Sequence, residues 1–400
     1  MVGNQGAASF SVDDAATATI AGSLTLGGPS SVVTVGGGTL QAQDGLSIGD
    51  QPADYAQLWV QGGTAAGTSY QGLLDWQQTL SVGDVGTGWL VVIDGGEVIG
   101  EPDSVLLVGG TTGSSGFVQI SGSGSTLDIA TASIGGAMPT ATNDQGQPNG
   151  TDGDWTYDGG VGSLDVADNA SVSAGQTLTL LAIAQIGTDG TETYQGGIDI
   201  SSGGTLEVGG TTGAAANTLQ IDKNAALVGH GLIDSDVVGH LPSPDGTSPG
   251  LPTYSLDLDN LGTVEAKDGL LVIHGNVTGD SQMLIDDNSS LEIGGTVGSE
   301  GTPDATFDFQ GQPSGTLVIN DIADFFGSLT GLSDGTTDLS GASLSALSVA
   351  GDAVIAAGTV VNSATVGSTI NLGNIGTATN NAVIAATIGV IAHPVGMVIG

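Results

Sequence analysis

A short extended unit recurs along this chain and limits what the chain can fold into. The unit is an apolar residue, any residue, a second apolar residue and a glycine, as in Leu46-Ser47-Ile48-Gly49. Further copies stand at 80–83, 106–109, 206–209 and 291–294, with a weaker one at 132–135. Gly83, Gly109 and Gly135 follow one another at equal intervals. Self-similarity at a fixed period is the signature of repeat architectures.

Each copy is typical of a brief strand with one apolar face. Alternation at period two places Leu46 and Ile48 on one side and Ser47 on the other. Partner units with the same alternation stand at 58–60, 90–92, 118–120, 164–166, 198–200, 219–221 and 256–258. Strands this short do not form stable hairpins alone, but coils that stack on one another bury the alternate apolar side chains in a continuous core.

The pattern therefore predicts an all-β fold, a parallel β-helix (β-solenoid) with long loop insertions. A sustained helical spacing of apolar residues is missing, and glycine, which disfavours helices, makes up 71 of the 400 residues. Glycine and asparagine supply the positive φ angles that sharp corners between strands need. With the interval between the repeated glycines as the length of a coil, residues 1–340 would form roughly 13 coils, stacked ~4.8 Å apart.

The repeats also resemble a known family. The rhythm L-x-V-G…G-x-L-x-I-x-G-G over residues 20–300 looks like the autotransporter-associated β-strand repeats of bacterial passenger domains. Residues 323–339 are similar to a segment common near the end of glycine-rich bacterial surface proteins, with Thr336 where Asp is usual. The resemblance implies a right-handed parallel β-helix, an extracellular or bacterial cell-surface location, and a structural or adhesive role.

Charge divides the chain into two predicted parts. The 42 acidic residues stand against 2 lysines and no arginine, which gives a net charge of −40, and after residue 340 only Asp352 is acidic. We expect an acidic solenoid over 1–340, with loop insertions near 137–160 and 239–254, and a neutral, β-rich Val/Ala/Thr/Gly segment over 341–400. That segment would either cap the open end of the solenoid or join copies into a homo-oligomer or polymer, because like charges oppose contact elsewhere.

The same charge excludes several classes of partner. A polyanion repels nucleic acid and anionic lipid headgroups, so neither is expected to bind. The apolar run at 382–400 is interrupted by His393 and Pro394, and no membrane span is expected there. The chain contains no cysteine, which excludes disulfides and thiolate metal ligands.

One acidic cluster is a candidate metal site. Asp152, Asp154 and Asp158 stand close together in the sequence, and carboxylate oxygens are the ligands that calcium prefers. We therefore predict calcium at this cluster and no other cofactor. The alternative is that calcium ions only screen the acidic surface without a specific site.

Paired carboxylates and aromatic side chains suggest carbohydrate chemistry. Asp152 with Asp154, or Asp286 with Asp287, could flank a glycosidic bond, although aspartate is also a common turn residue. Trp59 alternates with Leu58 and Val60, so it is expected to face outward, where it could contact surface glycans. Trp76, Trp89 and, in the first predicted insertion, Trp155 and Tyr157 could do the same, or they could pack in the core or anchor a loop.

Two functions follow from these observations. The first is a non-enzymatic, extracellular structural protein that self-associates into a fibre, layer or adhesive biofilm matrix. The alternative is a carbohydrate-binding or polysaccharide-degrading β-helix protein.

Overall fold

A computed structural model describes the chain at residues 1–3, 6–65, 68–111, 113–135, 160–180, 183–186, 192–195, 197–208, 217–222, 225–235, 237–240, 252–279, 281–298, 305–308, 316–319, 328–330 and 336–338, and at five short strands beyond residue 358. These residues form strands and turns, with no helix among them. The chain divides into two compact units, Met1–Leu206 with Asn224–Ala226, and Glu207–Lys223 with Leu227–Gly400.

Short strands make up the first unit. In chain order they are β1 (Ser9–Asp13), β2 (Thr17–Ile20), β3 (Leu24–Leu26), β4 (Ser31–Gly36), β5 (Thr39–Ala42), β6 (Leu46–Ile48), β7 (Tyr55–Gln61), β8 (Gly63–Ala65), β9 (Thr68–Tyr70), β10 (Leu73–Trp76), β11 (Thr79–Val82), β12 (Thr87–Ile93), β13 (Glu97–Gly100), β14 (Val105–Val108), β15 (Ser115–Ser121), β16 (Thr126–Ile134), β17 (Val161–Ala167), β18 (Ser171–Leu180), β19 (Ile183–Ile186), β20 (Glu192–Gln195), β21 (Gly197–Ile200) and the start of β22 (Thr205–Val208).

The second unit is built in the same way. Its further strands are β23 (Asn217–Ile221), most of β24 (Ala226–Asp234), β25 (Val237–His240), β26 (Pro252–Tyr254), β27 (Leu256–Asn260), β28 (Thr263–Ile273), β29 (Asn276–Thr278), β30 (Ser281–Ile285), β31 (Ser290–Ile293), β32 (Ala305–Asp308), β33 (Thr316–Ile319), β34 (Ser328–Thr330), β35 (Thr336–Asp338), β36 (Thr359–Asn362), β37 (Asn371–Leu372), β38 (Thr377–Asn380), β39 (Gly389–Val390) and β40 (Met397–Ile399).

Parallel pairing sorts the main strands of the first unit into three sheets. The first sheet contains β1, β4, β7, β12, β15, β17 and β21. The second contains β2, β5, β10, β13 and the first halves of β16 and β18. The third contains β3, β6, β11, β14 and the second halves of β16 and β18. Each strand pairs with its equivalent one coil further along, so the unit is a three-sided parallel β-helix, as the repeats predicted.

The equal spacing of the repeated glycines is the length of a coil in this part of the chain. Val82 pairs with Val108, and Val108 pairs with Ile134 after the same interval. Other coils differ in length, since the coil from Leu24 to Leu46 is shorter and the next one, from Leu46 to Leu80, is longer. The longer coil contains the antiparallel hairpin of β8 and β9. Extra residues therefore leave the solenoid at a corner without shifting the register of the sheets.

Columns of aliphatic side chains fill the interior of this unit. Leu26, Ile48, Val82, Val108 and Ile134 occupy equivalent positions in successive coils, and all are fully buried. Every inward residue therefore contacts its counterpart in the next coil, and burial of such a side chain contributes about 1.5–3 kcal/mol. The alternation that defined the sequence unit is the alternation between this core and the outer surface.

Several coils of the second unit are shorter. Thr263 pairs with Gln282 and Leu270 with Ser290, and both intervals are shorter than those between the third-sheet strands β11, β14 and β16. One ladder runs through the second half of β28, β31, β33, β35, β36, β38 and β40, and every pairing in it is parallel. This ladder continues beyond residue 340 through β36, β38 and β40. Strands of the neutral segment therefore pair in register with strands of the acidic repeats.

The structure describes both ends of one predicted insertion but only the last residue of the other. The segment at 239–254 begins and ends in an antiparallel hairpin, in which β25 pairs with β26 and Val237 faces Tyr254. The segment at 137–160 lies outside the described residues, apart from Gly160. A further hairpin, β19 with β20, was not predicted from the sequence. The right-handed sense of the coil stays a prediction.

Glycines after the third-sheet strands form the sharpest corners. Gly83 and Gly109 have φ angles of +68° and +70°, and the N–H of each donates to the carbonyl one coil earlier. A Cβ on Gly109 would lie 2.3 Å from the carbonyl oxygen of Val161. Both the backbone angle and the neighbouring coil therefore require glycine at this position.

We expect Gly109→Ala to destabilise the fold more than Gly95→Ala. Gly95 also has a positive φ, of +78°, but a Cβ there would meet nothing within 4 Å. Gly95→Ala should cost only the left-handed backbone strain of about 1–2 kcal/mol. Gly109→Ala adds overpacking against the next coil, for a total of about 2–5 kcal/mol. Chemical denaturation of both variants measures the difference, and equal losses would contradict the contact between coils.

Candidate functional site

The outer side of the first sheet carries no charge over four consecutive coils. Strands β4, β7, β12 and β15 read SVVTVG, YAQLWVQ, TGWLVVI and SGFVQIS, without a charged residue, in a chain of net charge −40. Their inward residues are buried aliphatics, glycines, Ala56 and Ser31, so the outward residues alone meet the surroundings. We call the outward side of these four strands the uncharged face.

Hydrogen bonds hold the polar groups of β7 on this face. Gln57 Nε2 donates to Tyr55 Oη at 3.0 Å, and Trp59 Nε1 donates to Gln57 Oε1 at 3.2 Å. Tyr55 is 42% exposed, whereas Gln57 and Trp59 are half-buried. The Gln57 amide is therefore engaged at both ends by its aromatic neighbours, which fixes the orientation of the two rings.

Stacked rings occupy the next two strands. Trp89 and Phe117 are register partners, with ring centroids 4.4 Å apart and planes at 23°. Because they stack from one coil to the next, the ring faces point along the solenoid, and the Trp89 indole nitrogen is buried. Val91 is 3% exposed, although it points outward, and lies beside Trp59, its register partner. The result is a well-packed aromatic and aliphatic surface.

Carboxylates appear on the same sheet where the uncharged face ends. The column that contains Trp59, Val91 and Gln119 continues in β17 with Asp165 and in β21 with Asp199. Burial raises the pKa of Asp165 above its ordinary value, and the nearby carboxylates of Asp199 and Asp168 raise it further. A carboxyl with a raised pKa beside a second carboxyl group is a candidate for acid–base chemistry, so Asp165 and Asp199 are the candidate pair of the first unit.

A histidine and a carboxylate meet in the second unit. His274 Nδ1 donates to Asp234 Oδ1 at 2.9 Å, and Tyr254 stacks on the imidazole with centroids 5.3 Å apart and planes at 9°. Burial raises the pKa of Tyr254, as do the carboxylates of Asp234 and Glu292. Gly294 makes room, since a Cβ there would lie 3.0 Å from the Tyr254 ring. Tyr254 ends the hairpin of β25 and β26, so these contacts hold the base of that insertion against the solenoid.

The candidate calcium residues Asp152, Asp154 and Asp158 lie outside the described residues, and calcium there stays a prediction. In the part of the chain that the structure describes, no group of three or more acidic or histidine side chains could hold a metal ion. Asp286 and Asp287 occupy a turn, in which the Asp287 N–H donates to Asp286 Oδ1 at 2.7 Å. Hydrogen bonds between an aspartate side chain and the nearby backbone are common in turns.

The aromatic residues that the sequence suggested as glycan contacts lie in different surroundings. Trp59 faces outward and is half-buried, as its alternation predicted. Trp76 lies fully buried in the core, and Trp155 and Tyr157 lie outside the described residues. The pairing of Trp89 with Phe117 was not predicted from the sequence. Trp89 and Phe117 are one coil apart in the chain, so their separation in the sequence could have indicated that the two rings stack. That inference needs the length of this coil, which the structure supplies.

Comparisons with known proteins add no relative. No protein-family model matches the chain, and a search of curated proteins also finds no match. Among the described residues, no helix is long and apolar enough to cross a membrane. The resemblance to autotransporter-associated repeats therefore rests on the repeat residues alone.

Replacement of Asp165 by asparagine should stabilise the fold at neutral pH. A carboxyl whose pKa is raised in the folded chain holds its proton more tightly there than in the unfolded chain. Its ionisation therefore costs stability as pH rises through the raised pKa, and stability returns as pH falls toward the ordinary value of 3.8. Thermal unfolding of Asp165→Asn should show a higher Tm than wild type at pH 7 and a smaller difference at about pH 4.

Asp103→Asn is the matched control, because Asp103 is exposed and the substitution removes the same charge. The control should change Tm little at either pH. An equal gain in the two variants would show that relief of the overall negative charge, and not the surroundings of Asp165, is responsible.

Proposed function

We propose that this chain is a non-enzymatic structural protein of the extracellular space or bacterial cell surface, and that its copies join end to end into fibres. The observation that carries the proposal is the parallel ladder from β28 to β40, which continues into the neutral segment after residue 340. A solenoid that ends in uncharged coils offers strand edges to which another copy can add without electrostatic repulsion.

The pairing of the outermost strands supports this arrangement. Among the described residues, β40 of the second unit pairs only with β38, and in the first unit β1 pairs only with β4 and β2 only with β5. Since all these pairings are parallel, a strand from the next copy can extend the ladder head to tail with the same polarity. Such heterologous addition does not close on itself and leads to a fibre.

The extreme charge fits a role outside the cell and in an assembly. A net charge of −40 keeps single copies apart and soluble, and only contacts through uncharged surface can overcome it. With two lysines and no arginine, the chain also offers few cleavage sites to trypsin-like proteases. These properties suit an adhesive matrix or surface layer.

A carbohydrate-active β-helix is the second candidate. The column from Trp59 through Gln119 to Asp165 and Asp199 favours it, because aromatic and amide groups lead along one sheet to a pair of carboxylates. Retaining glycosidases use two carboxyl groups about 5–5.5 Å apart, which is close to the spacing of neighbouring strands. Hydrolysis of a polysaccharide that Asp165→Asn and Asp199→Asn abolish would replace the structural proposal with this one.

We expect polymerisation to increase with salt. At about 0.01 M ionic strength the Debye length is about 30 Å and copies repel, whereas at about 0.15 M it is about 8 Å and repulsion is confined to close approach. Electron microscopy and sedimentation of the purified chain, at several protein and salt concentrations, should show regular polymers that lengthen with salt. Strictly monomeric particles under all conditions would overturn the proposal.

A chain that ends at residue 340 distinguishes the two roles of the neutral segment. Loss of polymers with the solenoid intact, judged by its β-sheet circular dichroism, identifies the segment as the contact between copies. Loss of folding identifies it as a cap. A parallel series with a calcium chelator tests whether calcium, expected at Asp152, Asp154 and Asp158, contributes to assembly.

A further inference from the structure

The uncharged face is a second, independent surface that no strand of the chain's described part covers. It lies on the side of the solenoid, away from the strand edges through which copies would add end to end. Its composition matches the core of protein–protein interfaces, where Tyr, Trp and Phe are enriched and Asp, Glu and Lys are depleted. We propose that this face is a lateral contact between copies of the chain, which joins neighbouring fibres side by side; the inference rests on the proposed end-to-end assembly.

Charge favours a second copy as the occupant. Each copy carries a net charge of −40, and acidic residues stand on the strands beside this face, such as Asp75 and Glu97 on the second sheet and Asp165 where the face ends. Two copies can meet side by side only where neither brings carboxylates to the contact. The outward residues of the four strands bring no carboxylate of their own, and the nearest ones stand at one edge of the face, where Asp13 lies over Gly36 and Asp168 accepts a hydrogen bond from Ser121. Apposition of the face with itself brings the two uncharged centres together and leaves these carboxylates at the rim, in the manner of a two-fold symmetric contact.

Ring orientation favours a protein over a glycan. A sugar stacks on the open face of an aromatic ring, and the stacking of Trp89 on Phe117 already covers one face of each of these rings. The indole N–H of Trp59 is already donated to Gln57, and the Gln57 amide donates in turn to Tyr55. The polar groups of Tyr55, Gln57 and Trp59 are therefore engaged with one another, whereas the rings beside Val91 and Ile93 suit contact with another apolar surface.

Area decides how strong the contact can be. Four strands ~4.8 Å apart, each about seven residues long at ~3.3 Å per residue, give a face on the order of 400 Å². A stable complex buries about 800 Å² on each partner, so one pair of faces is too small to hold two monomers together. Copies aligned along a fibre present the face repeatedly, and the summed contacts become strong by multivalency. Lateral association should therefore follow end-to-end assembly.

Cross-linking tests the contact directly, since the chain has no cysteine of its own. Gln61→Cys and Gln119→Cys each place one thiol on the uncharged face, and Gln176→Cys and Gln282→Cys place one on exposed positions outside it. A short flexible bis-maleimide should yield at least ~10-fold more dimer from the face variants, alone or mixed, than from the controls, because contact raises the local thiol concentration. Equal yields overturn the proposal.

Added charge gives a second readout. Gln61→Glu with Gln119→Glu introduces two carboxylates into the face with little change of shape, and Gln176→Glu with Gln282→Glu adds the same charge elsewhere. Electron microscopy should show wild-type and control fibres in lateral bundles, and face-variant fibres that are single but equally long. Bundles formed by the face variant would contradict the lateral contact.

The two proposals fail in different ways. A wild-type chain without polymers overturns end-to-end assembly and with it the lateral contact, because one pair of faces is too small to hold two monomers together. Polymers that form normally but give cross-linking at control level and no bundles overturn the lateral contact alone. Retention on insoluble cellulose that Trp59→Ala abolishes, together with cross-linking at control level, would assign the face to a neutral glycan and overturn its role as a contact between copies.

Discussion

Stacking of each coil on the next is the interaction on which the rest of this structure depends. A strand of only a few residues has too few contacts to persist alone, but it gains backbone hydrogen bonds and buried neighbours on both sides once coils accumulate. The column of Leu26, Ile48, Val82, Val108 and Ile134 shows the consequence, since each side chain is buried by its own equivalents. Stability is therefore shared between neighbouring coils, and insertions such as β8 and β9 are tolerated because they leave those columns in place.

The distribution of charge follows from the same geometry. Inward positions exclude carboxylates because an ionised group in an apolar core loses its hydration. Acidic residues are therefore confined to outward positions and corners, where identical positions in successive coils lie close together. Asp165 and Asp199 illustrate the cost, since burial and mutual repulsion raise the pKa of Asp165. The first sheet has no such pair on the four consecutive strands β4, β7, β12 and β15, unlike β17 and β21, and contact with another surface would give this difference a physical reason.

Much of the fold could be predicted from the sequence, because alternation is a local property. Leu46, Ser47 and Ile48 reveal which side of their strand is buried without knowledge of any partner, and the even spacing of the repeated glycines gives the length of a coil. The hairpin of β19 and β20 and the shorter coils of the second unit were not predicted, because corners accept chain of variable length at little energetic cost. Of the candidate site, only the outward orientation of Trp59 was foreseen.

The sequence by itself determined that the chain forms a parallel β-helix with an aliphatic core and an acidic surface, because alternation and glycine corners act within a few residues. Only the tertiary structure decided which outward residues become neighbours. Trp59, Val91, Gln119, Asp165 and Asp199 stand in one column although a full coil of chain separates each from the next. Coil lengths set that register, and they depend on how much chain leaves at each corner. The uncharged face and the contact of Asp234 with His274 therefore follow from the stacked coils and not from any local pattern.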